Sequence, residues 1–129
     1  DTVFREIYGE ERAKMVTAEE TVAAMDDQLV AVSVVFGFPW EDQGLNCGHN
    51  DYVLEAGARF PGRLVPFACV NPLAPGAVEE VERCVSRGAK GVGEIAFYNR
   101  TIDEETIKNL QPLMEILKKA RLPFLIHTN

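Results

Sequence analysis

Gly91-Val-Gly-Glu-Ile-Ala-Phe97 and Pro123-Phe-Leu-Ile-His127 decide how this chain is read. Each is a short apolar run that delivers one side chain able to bind a metal, Glu94 in the first and His127 in the second. Between them lies enough chain for a loop and a helix. An α/β barrel builds a site this way, with successive parallel strands each presenting a residue at their carboxyl ends. Neighbouring parallel strands lie about 4.8 Å apart, so Glu94 and His127 at one level would both reach one ion. A carboxylate in such a run is expensive to bury unless it is paired or metal-bound. The alternative for Glu94 is a buried ion pair with Arg100 or a lysine. For His127 it is an imidazole satisfied by backbone or a neighbouring side chain. Gly91 and Gly93 leave room beside the strand, or serve packing alone.

Upstream, the same alternation repeats. Leu29 to Phe36 and Leu64 to Val70 are apolar runs without a polar face, which suits strands buried on both sides in a parallel sheet. Thr17-Ala-Glu-Glu20 reads as a capping box opening a helix to about Gln28, with Val22, Ala23 and Met25 inward. Asn46 to Asn50 opens the next helix, with Tyr52, Val53, Ala56 and Phe60 on one face. Pro75 suits the first turn of a helix striped by Val78, Val81, Cys84 and Val85. A last helix is expected from near Pro112, burying Leu113, Met114, Leu117 and Ala120. Residues 1–16 are polar and offer a short helical turn but no strand. The expected fold is α/β, with four parallel strands and their helices in one domain over residues 1–129, part of a longer (β/α) barrel.

The composition is that of an ordinary globular chain. The 129 residues are 47% apolar, and 20 acids against 13 bases give a net charge of −7. That balance disfavours a phosphate backbone as partner. Three cysteines without CxxC spacing argue against a disulfide framework or zinc knuckle and for a reducing, cytoplasmic setting. No run approaches the roughly 20 apolar residues of a membrane span. The expected partner is therefore a small-molecule substrate, with neither nucleic acid nor membrane. Because the chain begins at Asp1, an upstream segment is expected to have been removed. Both open edges, Leu29–Phe36 and Phe124–His127, invite pairing, so a homo-oligomer is expected.

Further candidates follow strand ends. His49 lies in the loop-to-helix segment after the first strand, on the side where substrate would enter, or is simply a polar residue at a helix N-terminus. Trp40 and Phe38 either wall an apolar pocket or plug the barrel top. Asn71 can aim an amide at substrate or make the turn before Pro72. Cys47 lacks an orienting third group for a nucleophile, Cys69 and Cys84 read as core fillers, and Lys90 reads as a solvated residue at a strand start.

Asn71-Pro72 after a strand, Arg87-Gly-Ala-Lys-Gly-Val-Gly93, the Pro112-Leu-Met helix and Leu122-Pro-Phe-Leu-Ile-His127 resemble the amidohydrolase-2 family, from about Thr17 onward. Gly93-Glu94-Ile95 is also similar to a segment of TatD-type deoxyribonucleases, in which a glutamate on the fourth strand binds metal. The resemblance implies a TIM (β/α)8 barrel, with this chain supplying its second to fifth strands. It implies that Glu94, ending the fourth, and His127, ending the fifth, are metal ligands. The implied cofactor is a divalent metal, zinc first, with manganese or iron as alternatives. The implied activity is hydrolysis of a small-molecule amide, ester or lactone by metal-activated water. Some relatives instead use such a site for decarboxylation. The family's first-strand HxH pair has no counterpart here, nor do its sixth-strand ligand and eighth-strand aspartate, so no general base is expected within this chain. A non-catalytic ligand-binding barrel and a TatD-like nuclease are rival readings. The acidic balance and the lack of a Lys/Arg cluster on the strand-end loops weigh against the nuclease.

Overall fold

Short parallel strands alternate with helices in the computed structural model, which describes residues 2–9, 15–98 and 101–127. The order is α1 (Thr2–Tyr8), α2 (Ala18–Asp27), β1 (Ser33–Val35), α3 (Gln43–Arg59), β2 (Leu64–Pro66), α4 (Ala77–Ser86), β3 (Val92–Ile95), α5 (Glu104–Ala120) and β4 (Phe124–Ile126). β1 pairs with β2 in parallel, Ser33 opposite Leu64 and Val35 opposite Pro66. β3 pairs with β4 in parallel, Val92 opposite Phe124 and Ile95 opposite Ile126, with an irregularity between. A parallel bridge from Ala68 to Val92 joins the two ladders. It is reinforced by Lys90 N–H to the Pro66 carbonyl (2.8 Å) and Gly93 N–H to the Ala68 carbonyl (2.8 Å). The strands therefore run side by side in chain order with a helix between each pair, as in an arc of a (β/α) barrel.

Helix starts are set by local chemistry. Thr17 and Glu20 form the capping box at α2, Thr17 N–H to Glu20 Oε2 at 2.8 Å and Glu20 N–H to Thr17 Oγ1 at 3.2 Å. α3 begins three residues before Asn46, because the Asp42 carboxylate accepts from Leu45 N–H (2.9 Å). α5 begins at Glu104, not near Pro112, because Asp103 accepts from both the backbone N–H and the hydroxyl of Thr106. Pro112 sits inside that helix on its exposed side, where water can take up the carbonyl that a missing N–H leaves free. Pro75 lies just ahead of α4, which starts at Ala77 after Gly76.

The first strand is shorter than the apolar run that announces it. Leu29 adopts φ +58°, its N–H bonded to the Asp26 carbonyl and that of Val30 to the Met25 carbonyl. This is a Schellman ending for α2, so Leu29 and Val30 terminate a helix and do not extend a strand. Leu29 is 92% exposed. Glycine is the usual occupant of this left-handed position, where an L side chain costs about 1 kcal/mol. Leu29→Gly should therefore raise stability by about that much, read as a higher urea midpoint; an unchanged or lower midpoint would count against this account of the turn.

Burial is less complete than both-face strands require. Val65, Val34 and Leu125 are half-buried or exposed, while Val35, Leu64, Phe124 and Ile126 pack on the helix side. The central strands carry the core, Val92 and Ile95 fully buried with Val81, Leu113 and Leu117. On α5, Leu113 and Leu117 are inward as expected, but Met114 and Ala120 are exposed, and on α3 Tyr52 is exposed too. Met114 and Tyr52 each lie one position off a buried neighbour, Leu113 or Val53, and Ala120 is the last residue of α5. Gly91 and Gly93 have a steric reason: a β-carbon at Gly91 would lie 2.5 Å from the Phe67 ring, and one at Gly93, where φ is +133°, would fall on the Leu125 backbone. Among the described residues no helix is long and apolar enough to cross a membrane.

Candidate active site

The carboxyl ends of β3 and β4 place Glu94 and His127 together, Oε1 to Nδ1 at 2.8 Å. The side chains are 32% and 43% exposed, so the expectation of a sequestered Glu94 is corrected: the pair sits at an open mouth. Arg100, the rival partner for Glu94, lies outside the described residues. Among the described residues no third His, Cys, Asp or Glu joins the pair into a cluster able to hold a metal. A carboxylate oxygen and an imidazole nitrogen within hydrogen-bond reach suit two positions of a divalent ion's coordination shell.

Beside the pair is a hollow of about 300 Å³, lined chiefly by Phe4, Tyr8, Phe38, Trp40, Tyr98 and His49, with Glu94 in its wall. The rings interlock. Phe38 stacks on Tyr98 at 5.7 Å with 4° between planes, and Phe4 meets Phe38 edge-on at 5.2 Å. Tyr98 in turn packs against His127 at 5.7 Å. Burial, then the negative charge of Glu94, pushes the Tyr98 phenol up from its ordinary value, so it is a neutral hydroxyl at physiological pH.

Trp40 is fixed from behind. The buried amide of Asn46 accepts from Trp40 N–H (3.0 Å) and donates to the Trp40 carbonyl (2.8 Å). The indole Nε1–H then donates to His49 Nδ1 at 3.1 Å. Burial lowers the pKa of His49 from its usual range, which keeps the ring neutral. Trp40 and His49 thus do meet at the pocket. Asn71 is not in its lining: its side-chain oxygen accepts from Leu73 N–H (3.0 Å), the turn-making alternative.

A second polar centre lies under the strand ends, between α3 and α4. Glu80 is 4% exposed. It accepts from Arg83 Nε (2.7 Å) and Nη2 (2.8 Å), Asn50 Nδ2 (2.9 Å), and the thiols of Cys47 (3.2 Å) and Cys84 (3.3 Å). Burial alone would raise this carboxyl, but the donors outweigh it and hold the pKa at about 2. Asn50 also brackets Cys69, donating to its carbonyl (3.0 Å) and accepting from its N–H (2.8 Å), and the Cys69 thiol donates to the Glu94 carbonyl at 3.2 Å. A chain of hydrogen bonds thus runs from α4 to the backbone of Glu94. The thiols of Cys47 and Cys69 are pushed up, chiefly by burial, and Cys84 reaches about 12, so none is a nucleophile at neutral pH. Lys90 is exposed, as its place at a strand start requires.

The sequence reading missed Glu80, Asn50, Asn46 and Tyr98. A usable sign existed for Glu80, which sits on the stripe of Ala77, Val81 and Cys84 and so places a charge in a core position.

Two solved structures share this fold. One is a 5-carboxyvanillate decarboxylase from Novosphingobium aromaticivorans, with bound manganese and 3-methoxy-4-hydroxy-5-nitrobenzoic acid: TM-score 0.71, 23% identity, over 95% of this chain and 37% of that one. The other is a probable 2-pyrone-4,6-dicarboxylic acid hydrolase from Acinetobacter baumannii with citric acid bound: TM-score 0.56, 16% identity, over 92% of this chain and 43% of that one. The chain thus spans well under half the length of either. No curated protein matches it. The model of the amidohydrolase family (Amidohydro_2) matches residues 2–129, and with parallel strands that form part of a TIM barrel, the chain belongs to that family.

Proposed function

We propose that this chain supplies part of the site of a metal-dependent hydrolase for a small, flat, unsaturated amide, ester or lactone. The observation that carries this is the Glu94–His127 pair at the edge of an aromatic-walled hollow. Glu94 and His127 would hold a divalent ion, zinc or alternatively manganese or iron. Such an ion supplies Lewis acidity and a water of lowered pKa. The chain's own part is to bind and orient. Phe38, Trp40 and Tyr98 offer ring faces to a planar substrate and exclude bulk water from its reacting end. The Tyr98 hydroxyl, kept protonated, can donate to a substrate oxygen.

Decarboxylation of an aromatic acid is a second reading, and the aromatic walls favour it. A carboxylate held against apolar rings loses hydration that neutral carbon dioxide does not need. A decarboxylase and a probable hydrolase both share the fold, which leaves chemistry to decide.

The test is turnover of the intact protein, stripped with a chelator and reloaded with zinc or manganese, on aryl lactones and esters beside hydroxybenzoic acids. Ring opening or acid release restored by metal is the expected result. Carbon dioxide release alone would select the second reading. Turnover indifferent to the chelator would overturn the metal-dependent assignment.

A further inference from the structure

His49 is held more carefully than a helix-surface histidine needs to be. Asn46 pins the Trp40 backbone at both its N–H and its carbonyl. Trp40 in turn spends its only polar hydrogen on His49 Nδ1, and the two rings lie nearly parallel, 27° apart. Gly37 packs closely on the same ring, for a β-carbon there would lie 3.0 Å from His49 Cγ and Nδ1. An indole N–H cannot accept, so Nδ1 must be the bare nitrogen and the ring proton resides on Nε2. That N–H has no protein partner among the hydrogen bonds of the described residues, and it is not a sealed buried atom. His49 also borders two hollows, the aromatic one that includes Glu94 and a second of about 260 Å³ lined by Val16, Phe36, Tyr52 and others. His49 lines the wall of the aromatic hollow, and a donor there with a fixed tautomer and a fixed plane suits an oxygen on a flat ligand.

We propose that His49 is a ligand-orienting donor whose Nε2–H binds a carboxylate or carbonyl oxygen of a planar substrate lying against Phe38 and Trp40. The inference rests on the pocket reading above but not on the metal. Burial lowers the pKa of the ring, which favours the bare Nδ1 that accepts from Trp40 and so the tautomer that the geometry sets.

Trp40 is the one tryptophan among these 129 residues, and its indole lines this pocket, so its emission responds to what binds there. The experiment is a benzoate titration of the intact protein, metal-free and manganese-loaded, followed by Trp40 fluorescence. Saturable quenching is expected in both forms. His49→Ala should weaken benzoate by roughly tenfold or more, the range for a hydrogen bond to a charged group. His49→Gln, which restores an N–H at similar reach, should recover most of that loss, whereas a merely structural histidine would not be rescued in this way. Imidazole 15N spectra of the native protein should show the proton on Nε2. Equal benzoate affinity in native and alanine forms, a glutamine form as weak as alanine, or a proton on Nδ1 would each overturn the proposal, as would no response of the native protein to benzoate. Failure of the metal reading has a different signature: no metal uptake, with the metal-free benzoate titration unaffected.

Discussion

Glu94→Gln and His127→Ala should each strip the intact protein of its divalent metal and lower turnover by roughly a thousandfold or more, the several kcal/mol that such an ion contributes to a transition state. The structure makes the two variants informative in a particular way. Both side chains are open to solvent, 32% and 43% exposed, and their direct bond is between Oε1 and Nδ1 alone. A pair so placed contributes at most about 1 kcal/mol to folding. Glutamine at 94 retains an oxygen able to accept from the imidazole while losing the charge a cation needs. Thermal stability of the metal-free variants should therefore match the metal-free parent, while metal content, measured by elemental analysis after dialysis, falls. Loss of stability without loss of metal would mean that the pair is structural. Full metal and full turnover in Glu94→Gln would remove it from the site.

How much of this was legible in sequence depends on the range over which each cause acts. Thr17 and Glu20 settle a helix start within four residues, and the structure has that start. The place of His127 was equally local, since a residue closing an apolar run before a loop lies at a sheet's carboxyl edge, and Glu94 stood out as the one charge inside its apolar run. The shared level of the two followed only from assuming parallel strands in order, and the order holds. Leu29 shows where the reading failed. Its apolar character and its place before valines suggested strand, but a Schellman turn claimed its backbone, and a leucine can take φ +58° where a glycine is usual. Pro112 misled in the opposite sense: the Asp103 cap starts the helix at Glu104, well upstream, and a proline on the exposed face of that helix is tolerated.

The remaining errors concern contacts between elements. Asn50 and Cys69 are 19 residues apart, and Glu80 and Cys47 are 33 apart. No periodicity encodes such partners. Tyr98 enters the pocket because Phe38 from another strand-end loop stacks on it. The pocket was announced as aromatic residues after a strand with His49 near by, whereas its walls come from α1, α3 and the loops after β1 and β3 together.

Glu80→Ala should lower stability by about 3 kcal/mol, the lower end for breaking a buried charge pair. Four side chains lose an acceptor at once: Arg83, Asn50, Cys47 and Cys84. Arg83 retains Asp51 at 2.7 Å, which limits the damage at that end. Asn50 is fully buried, however, and one of its two amide donations is left without a partner. The loss should also travel, because Asn50 holds Cys69 and Cys69 holds the Glu94 carbonyl. A disturbed Glu94 backbone predicts weaker metal binding in a variant whose substitution lies outside the pocket. The pH dependence gives an independent reading. The folded carboxyl has a pKa of about 2 against 4.5 for a free glutamate side chain. The folded state binds its proton less readily than the unfolded state, so the stabilisation is fully present above pH 4.5 and is lost as pH falls from 4.5 toward 2. Urea midpoints of the parent should drop steeply across that window. Glu80→Gln, which cannot titrate, should be weaker at neutral pH and flatter in acid. Parallel acid profiles for parent and glutamine variant would show that Glu80 is not the group whose protonation loosens the α3–α4 joint.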